Sequence, residues 1–304
     1  MNIGYIPLKS ALRSADSEAL IDITNKRRMT FGELEERVCR LANGLTTFLG
    51  VKKGDRVAVL SKNCIEYMEI FFACARVGLI CQPLNWRLGE QELLQIIEDA
   101  SPSILICCED YCKLSEHLTA TIQINKLLAF NHCSESSYEL LLRDSSPTEP
   151  AGAKHVGDED PVMILYTGGT TGRSKGALHS HKSVYMGMLN QTVAERVVPT
   201  DVYMLTGQMF HIPIVLAINY MSHGCPVVLI NFEAKLALEV IQSEKVSAFL
   251  GITTMLNWMM AVDNFEQYDL SSLRIILYGG GTMPPEVVKA ALISFPCTLI
   301  QGYG

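Results

Sequence analysis

The sequence predicts an α/β fold, with layered, mostly parallel sheets flanked by helices, and three observations carry that prediction. Short apolar runs of strand length alternate with segments of helical apolar spacing along most of the 304 residues. Glycine and proline punctuate the changeovers, where the chain must turn. The strand, helix, strand spacing over 57–83 leaves room for the crossover that parallel pairing requires.

Taken in order, the first clear element is a helix. Thr30 and Glu33 have the T-x-x-E form of a capping box, in which two side chains satisfy backbone N–H groups at a helix start. Leu34, Val38, Leu41, Leu45 and Phe48 then recur at helical spacing before Gly50 ends the segment. A turn at Gly54-Asp55 leads into a buried strand over 57–60. Helix 64–77 closes on Gly78, strand 79–83 follows, and helix 90–99 leads to strand 103–107, after which the pattern weakens. Residues 144–161, rich in proline, glycine, serine and acidic side chains, read as a surface connection and the best internal boundary, dividing the chain at about 1–150 and 161–304. Beyond it come strand 162–165, helix 182–194, strand 202–205, helix 212–221 and strand 226–230. Helix 234–242, strand 248–251, helix 253–262, strand 274–278 and helix 284–294, with proline in its first turn, complete the alternation.

Composition narrows the function classes. With 48% apolar and 19% charged residues the chain is globular, and a net charge of −7 argues against a nucleic-acid surface, which needs a clustered basic face. Ten cysteines at irregular spacing, several inside apolar runs, point to a reducing compartment, hence the cytoplasm. Cys107, Cys108, Cys112 and His117 form a cluster without paired C-x-x-C spacing, so core and loop roles are preferred over zinc and no metal ligand is assigned. Neither the N-terminal segment nor the longest apolar run, 212–221, has the length of a signal peptide core or a membrane span. A homodimer is compatible with this composition.

The stretch with the most chemistry is 166–176, YTGGTTGRSKG. Glycines at 168, 169 and 172 let backbone N–H groups approach an anion with no Cβ in the way. The hydroxyls of Thr167, Thr170 and Thr171 add donors, and Arg173 and Lys175 add positive charge. The G-x-x-x-x-G-K-[ST] phosphate loop fits in no register: from Gly169 its second glycine falls on Ser174. Tyr278-Gly279-Gly280-Gly281 ends a predicted strand, where bare backbone can lie against a flat ring, and ligands favour that edge of open parallel sheets. A dinucleotide G-x-G-x-x-G is excluded there, since position 284 is proline. No G-x-S-x-G elbow supports nucleophilic hydrolysis.

The loop resembles the phosphate-binding signature of the adenylate-forming superfamily of acyl-CoA synthetases, adenylation domains and luciferases, Y-T-[SG]-G-[ST]-T-G-x-P-K-G. Gly168 stands where serine is common, and Ser174 replaces the usual proline. The resemblance extends through TFGELEERVCRLANGLTTFLGVKKGDRVAVLSKN, GLICQPLNWRLGEQELLQIIEDASPSILI and GITTMLNWMM. It implies that 1–304 is the large N-terminal domain of such an enzyme, incomplete, with the barrel and the small C-terminal domain lacking a counterpart.

Site roles follow from the resemblance. Lys175, Thr170, Thr171 and Gly172 would hold the β and γ phosphates of ATP, with Thr167, Gly168 and Gly169 in the same loop and Mg²⁺ bridging the phosphates. Gly279, Gly280 and Gly281 would lie along the adenine and the acyl carboxylate. Gln301-Gly302-Tyr303-Gly304 matches the start of Q-G-Y-G-x-T-E, whose tyrosine stacks on adenine. His211, in Met209-Phe210-His211, resembles the histidine of P-x-F-H beside the acyl pocket and thiol passage. Gly251 and Thr254 resemble G-V-P-[TS], lining the same pocket, with Thr253 where proline is common. Lys175, Thr171 and His211 are the residues expected to carry catalysis.

The activity implied is ATP-dependent conversion of a carboxylic acid, a fatty acid first, to acyl-adenylate and then, with coenzyme A, to acyl-CoA. Aryl- or amino-acid adenylation and a non-catalytic nucleotide-binding fragment remain the alternatives. The chain stops before the threonine and glutamate of the last motif, so residues 1–304 alone are expected not to complete catalysis.

Overall fold

Residues 1–131, 135–167 and 174–303 are described by the structure, a computed structural model. Among them the strands are, in chain order, β1 (Glu18–Asp22), β2 (Arg27–Thr30), β3 (Arg56–Leu60), β4 (Ile80–Pro83), β5 (Ile104–Cys108), β6 (Leu127–Phe130), β7 (Pro161–Thr167), β8 (Lys175–Ser180), β9 (Tyr203–Leu205), β10 (Val227–Leu229), β11 (Ala248–Leu250), β12 (Ile275–Tyr278) and β13 (Thr298–Gln301). They form two sheets, and the chain divides into two compact units.

The first unit comprises Met1–Asp16, Phe31–Gly187 and Met209–His211. Its six-stranded sheet has the order β6-β5-β3-β4-β7-β8, parallel except for the edge strand β8. Parallel strands are covered on both faces, which requires apolar side chains in both directions. RVAVL of β3 meets that demand: Val57, Ala58, Val59 and Leu60 are all fully buried. Ala58 and Leu60 pack with Leu93, Ile96 and Ile97 of helix Glu90–Ala100 and Leu118 of helix Cys112–Ile122. Helix Ile65–Val77 is buried at every position, and Gly78 ends it with φ 75°, the left-handed value glycine adopts at no steric cost. The 144–161 connection lies within this unit.

Two arginines, Arg76 buried and Arg37 half-buried, hold the helices of this unit together. The Arg76 guanidinium donates to Glu35 Oε1 and Oε2 at 2.9 and 2.6 Å, to Glu149 Oε2 at 2.9 Å and to the Gly4 carbonyl at 2.9 Å, over the Tyr5 ring. Arg37 bonds both oxygens of Glu69 and of Glu139, and the Tyr138 hydroxyl donates to Glu69 at 2.6 Å. Burying such charges is tolerable only with partners on every donor.

The second unit comprises Ser17–Thr30, Met188–Gln208 and Ile212–Gly304. Its seven-stranded sheet runs β13-β12-β11-β9-β10-β1-β2, with only β2 antiparallel. Val228, Met204, Phe249 and Ile276 from four of these strands form a core with Leu238 and Ile241 of helix Ala234–Glu244 and Leu256 of helix Thr253–Met260. Arg274 clamps Asp201 with both arms, at 3.1 and 2.6 Å, and donates to the Glu195 carbonyl at 2.7 Å.

The predicted α/β class and its parallel pairing hold, and most predicted elements agree within a residue or two. Several elements escape the sequence reading: helix Ile6–Arg13, β1 and β2, helix Cys112–Ile122, β6 and helix Ser137–Asp144. One expectation is corrected. Strand 162–165 is not followed next by helix 182–194: strand β8 comes first, pairing antiparallel with β7, and helix His181–Glu195 only after it. Among the described residues no helix is long and apolar enough to cross a membrane.

Two stability predictions follow from the first unit. Arg76→Ala leaves a carboxylate pair and a carbonyl without their donor, and is expected to cost about 3–5 kcal/mol of unfolding free energy by urea titration. A loss below about 1 kcal/mol would contradict this account. The second concerns His181, fully buried, whose Nδ1 accepts the Ile3 N–H at 3.1 Å. Burial, followed by the nearby N-terminal ammonium and Lys53 and against the pull of Asp160, lowers its pKa from 6.5 to about 4. The neutral ring is favoured in the folded state, so its stabilisation is present above pH 6.5 and is lost as pH falls toward 4. The loss amounts to about 3 kcal/mol. Denaturant titrations between pH 7.5 and 4.5 are expected to show a shallower decline for His181→Gln than for the wild type, and parallel curves would refute it.

Candidate functional site

In the first unit Thr167 and Lys175 stand level where β7 ends and β8 begins. The ladder pairs Tyr166 with Gly176 and, one step outward, Thr167 with Lys175. A Cβ at Gly176 would fall 2.6 Å from Ile164 Cδ1 and 3.0 Å from Tyr166 Cζ, so glycine lets the strands close over these side chains. Thr167 and Lys175 are both exposed. Gly168, Gly169, Thr170, Thr171 and Gly172 lie outside the described residues, as does Gly304.

The same unit holds His211. Its segment is fixed by two contacts: the Met209 N–H donates to Asn63 Oδ1 at 2.9 Å, and the Phe210 ring meets Trp86 edge-on at 6.4 Å. Trp86 in turn lies 6.5 Å from the Tyr111 ring. His211 itself is exposed. Asn63, at the end of VLSKN, is a positioning residue that sequence reasoning does not find; a polar residue just beyond a buried strand is the available signal.

In the second unit the glycine-rich positions lie at the carboxyl ends of three adjacent parallel strands, β11, β12 and β13. The Gly251 N–H donates to the Leu277 carbonyl at 2.8 Å, and the Gly302 N–H to the Tyr278 carbonyl at 2.7 Å. Gly279 and Gly302 are thereby neighbours, with Gly251 bonded one strand over at Leu277. A Cβ at Gly279 would lie 2.5 Å from the Gly302 carbonyl oxygen, and Gly280 has φ 74°, so neither position accepts a side chain without strain. A Cβ at Gly281 would meet nothing within 4 Å, leaving bare backbone open to a flat ligand. Thr254 and Gln301 are exposed, and the Tyr303 side chain is fully exposed.

The charged clusters elsewhere are structural. Glu35, Cys39 and Glu149 form the group among the described residues with metal-holding spacing, but Arg76 Nη1 bonds all three. Cys107 and Cys112 sulfurs are 4.0 Å apart, while His117 Nε2 pairs with Glu90 at 3.0 Å. The Cys107 thiol is pushed up to about 12, chiefly by burial.

Known proteins resemble the chain in both sequence and fold. Residues 8–304 match the family described as AMP-binding enzyme. Feruloyl-CoA synthase of an Amycolatopsis species is 31% identical over 279 residues, 91% of this chain and 54% of that protein. Long-chain-fatty-acid–CoA ligase FadD13 of Mycobacterium tuberculosis is 28% identical over 304 residues, 99% of this chain and 59% of that protein. The chain therefore spans between half and three fifths of the length of these curated relatives. The inhibitor-bound crystal structure of the N-terminal domain of FACL13 from M. tuberculosis superposes with a TM-score of 0.92 at 28% identity, covering 100% of this chain and 75% of that one. From its sequence match and its fold together, the chain belongs to the AMP-binding enzyme family.

Proposed function

We propose that the protein carrying this chain activates a carboxylic acid with ATP, forming an acyl-adenylate and pyrophosphate, and then transfers the acyl group to coenzyme A with release of AMP. The observation that carries this reading is the loop hairpin, whose exposed Thr167 and Lys175 flank the glycine- and threonine-rich 168–173 segment. The substrate carboxylate is itself the nucleophile: its oxygen bonds to the α-phosphorus as the bond to the pyrophosphate oxygen breaks. The thiol then attacks the acyl carbonyl and AMP leaves. No protein nucleophile is required, only placement of the reactants and neutralisation of phosphate charge.

In this reading Lys175 and the loop around Thr170, Thr171 and Gly172 hold the β and γ phosphates. Gly279 to Gly281, Gln301, Gly302 and Tyr303 receive the nucleoside, and His211, Gly251 and Thr254 lie toward the acid and thiol. The described residues offer no unengaged carboxylate cluster with metal-holding spacing, so Mg²⁺ would enter on the nucleotide's phosphates. For the acid we favour a fatty acid, supported by the relative matched over 99% of this chain and by a fatty acyl CoA synthetase structure with TM-score 0.90 at 27% identity. Aryl acids are the second reading, supported by the feruloyl-CoA synthase and by an indoleacetate–CoA ligase at 31% identity. The cysteine usage supports a cytoplasmic setting.

Acid-dependent exchange of labelled pyrophosphate into ATP, over a panel of fatty, aryl and amino acids, tests the reaction and ranks the acids. Exchange with none of them would sink the reading. In the same assay Lys175→Ala is expected to lower ATP use about ten- to a hundred-fold, the worth of a charge-assisted phosphate contact. Unchanged ATP dependence would move the phosphate site elsewhere. His211→Ala is expected to impair acyl-CoA formation more than ATP affinity, and an equal fall in both would make it a packing residue.

A further inference from the structure

Asp99 is placed where its charge is unwelcome. It sits in the last turn of helix Glu90–Ala100, which carries no basic residue in that turn. The carbonyl ends of a helix repel a carboxylate. The helix end is nevertheless held firmly, because Arg56 of β3 donates to the carbonyls of Ala100 at 2.7 Å and Ser101 at 2.9 Å. Asp99 Oδ2 accepts the Tyr166 hydroxyl at 2.5 Å, across 67 residues of sequence. The Tyr166 ring packs against the core cluster that includes Leu60, Leu93 and Ile97, while its Cζ lies where a Cβ on Gly176 would come within 3.0 Å. Burial, and then the bond to Asp99, raises the Tyr166 phenol above its ordinary range, so it remains a neutral donor at working pH.

We propose that Asp99 is a positioning residue for nucleotide binding: through the Tyr166 hydroxyl it fixes the strand ends on which Thr167 and Lys175 pair. The proposal rests on the phosphate-site reading above. Tyr166 is the last residue before the Thr167–Lys175 pair, so a ring with room beside its Cζ only for glycine at 176 and with its hydroxyl held by Asp99 sets where those two residues stand. Without the anchor the outer rungs of the ladder are free to fray, and ordering them becomes a cost of binding.

The test compares Asp99→Ala, Tyr166→Phe, their double variant and Asp99→Asn, which keeps an acceptor oxygen. ATP affinity with Mg²⁺ is measured by calorimetry, and amide exchange is followed without nucleotide. Each of the first two variants is expected to weaken ATP binding about five- to tenfold, the double variant no more than either single, and Asp99→Asn less than about twofold. Exchange is expected to quicken at Thr167 and Lys175 while β3 to β5 stay protected. Singles without effect, or effects that multiply in the double variant, would overturn the proposal while wild-type binding leaves the nucleotide reading standing. Uniformly faster exchange across the first unit would also overturn it, since that marks a general packing role. A wild-type protein that binds no ATP would sink the nucleotide reading and this proposal with it.

Discussion

A single buried guanidinium organises the first unit. Arg76 has no exposed surface, and its ion pairs and carbonyl contact come from segments far apart in sequence. Gly4 belongs to the N-terminal segment, Glu35 to helix Phe31–Asn43, and Glu149 to the 144–161 connection. The approach is so close that a Cβ on Gly4 would lie 2.3 Å from the Arg76 backbone nitrogen. A charge taken out of water makes a misplaced partner expensive, so these segments must close on the helix together. That helix, Ile65–Val77, links β3 to β4, and β4 pairs with β7, which leads directly to the loop hairpin.

In each unit the candidate residues use the same property of sheets: backbone that ends in register presents several chain segments at one level. In the second unit three parallel strands end side by side, so Gly279 and Gly302 become neighbours and Gly251 ends the strand next to them. In the first unit an antiparallel pair does the work, bringing Thr167 and Lys175 level across the loop. The proposed adenylation and acyl transfer would rely on placement more than on reactive side chains, and rigid strand ends provide placement.

Legibility in the sequence tracks burial. Strands β10, β11 and β12 are continuous apolar runs between Gly, Pro and polar residues, and each lies inside its sheet, so the pattern and the packing agree. Strand β8 escapes a reading by pattern because it is an edge strand: Lys175 to Leu178 are exposed, and nothing forces an apolar run. Strand β2, with Arg27 and Arg28, escapes for the same reason, and Arg28 is tied instead to Glu18 and Glu244. The glycines of the site are visible in the sequence, but their separate reasons are not. Gly279 is fixed by the neighbouring carbonyl and Gly280 by its dihedral, and both reasons exist only once the strands are side by side. Contacts such as Asn63 with Met209 join residues 146 apart and leave no local trace.

The spacing at Gly279 also limits how such a protein can diversify. Any side chain there would strike the Gly302 carbonyl, and backbone cannot step aside as a flexible side chain can. Position 279 is therefore closed to point mutation, and a drifting gene copy finds no adjustable group there. Novelty has to come from positions with room, such as exposed Thr254 on the following helix or the open Gly281. A mutational library spread evenly over the site would spend many of its variants on residues the fold has already decided.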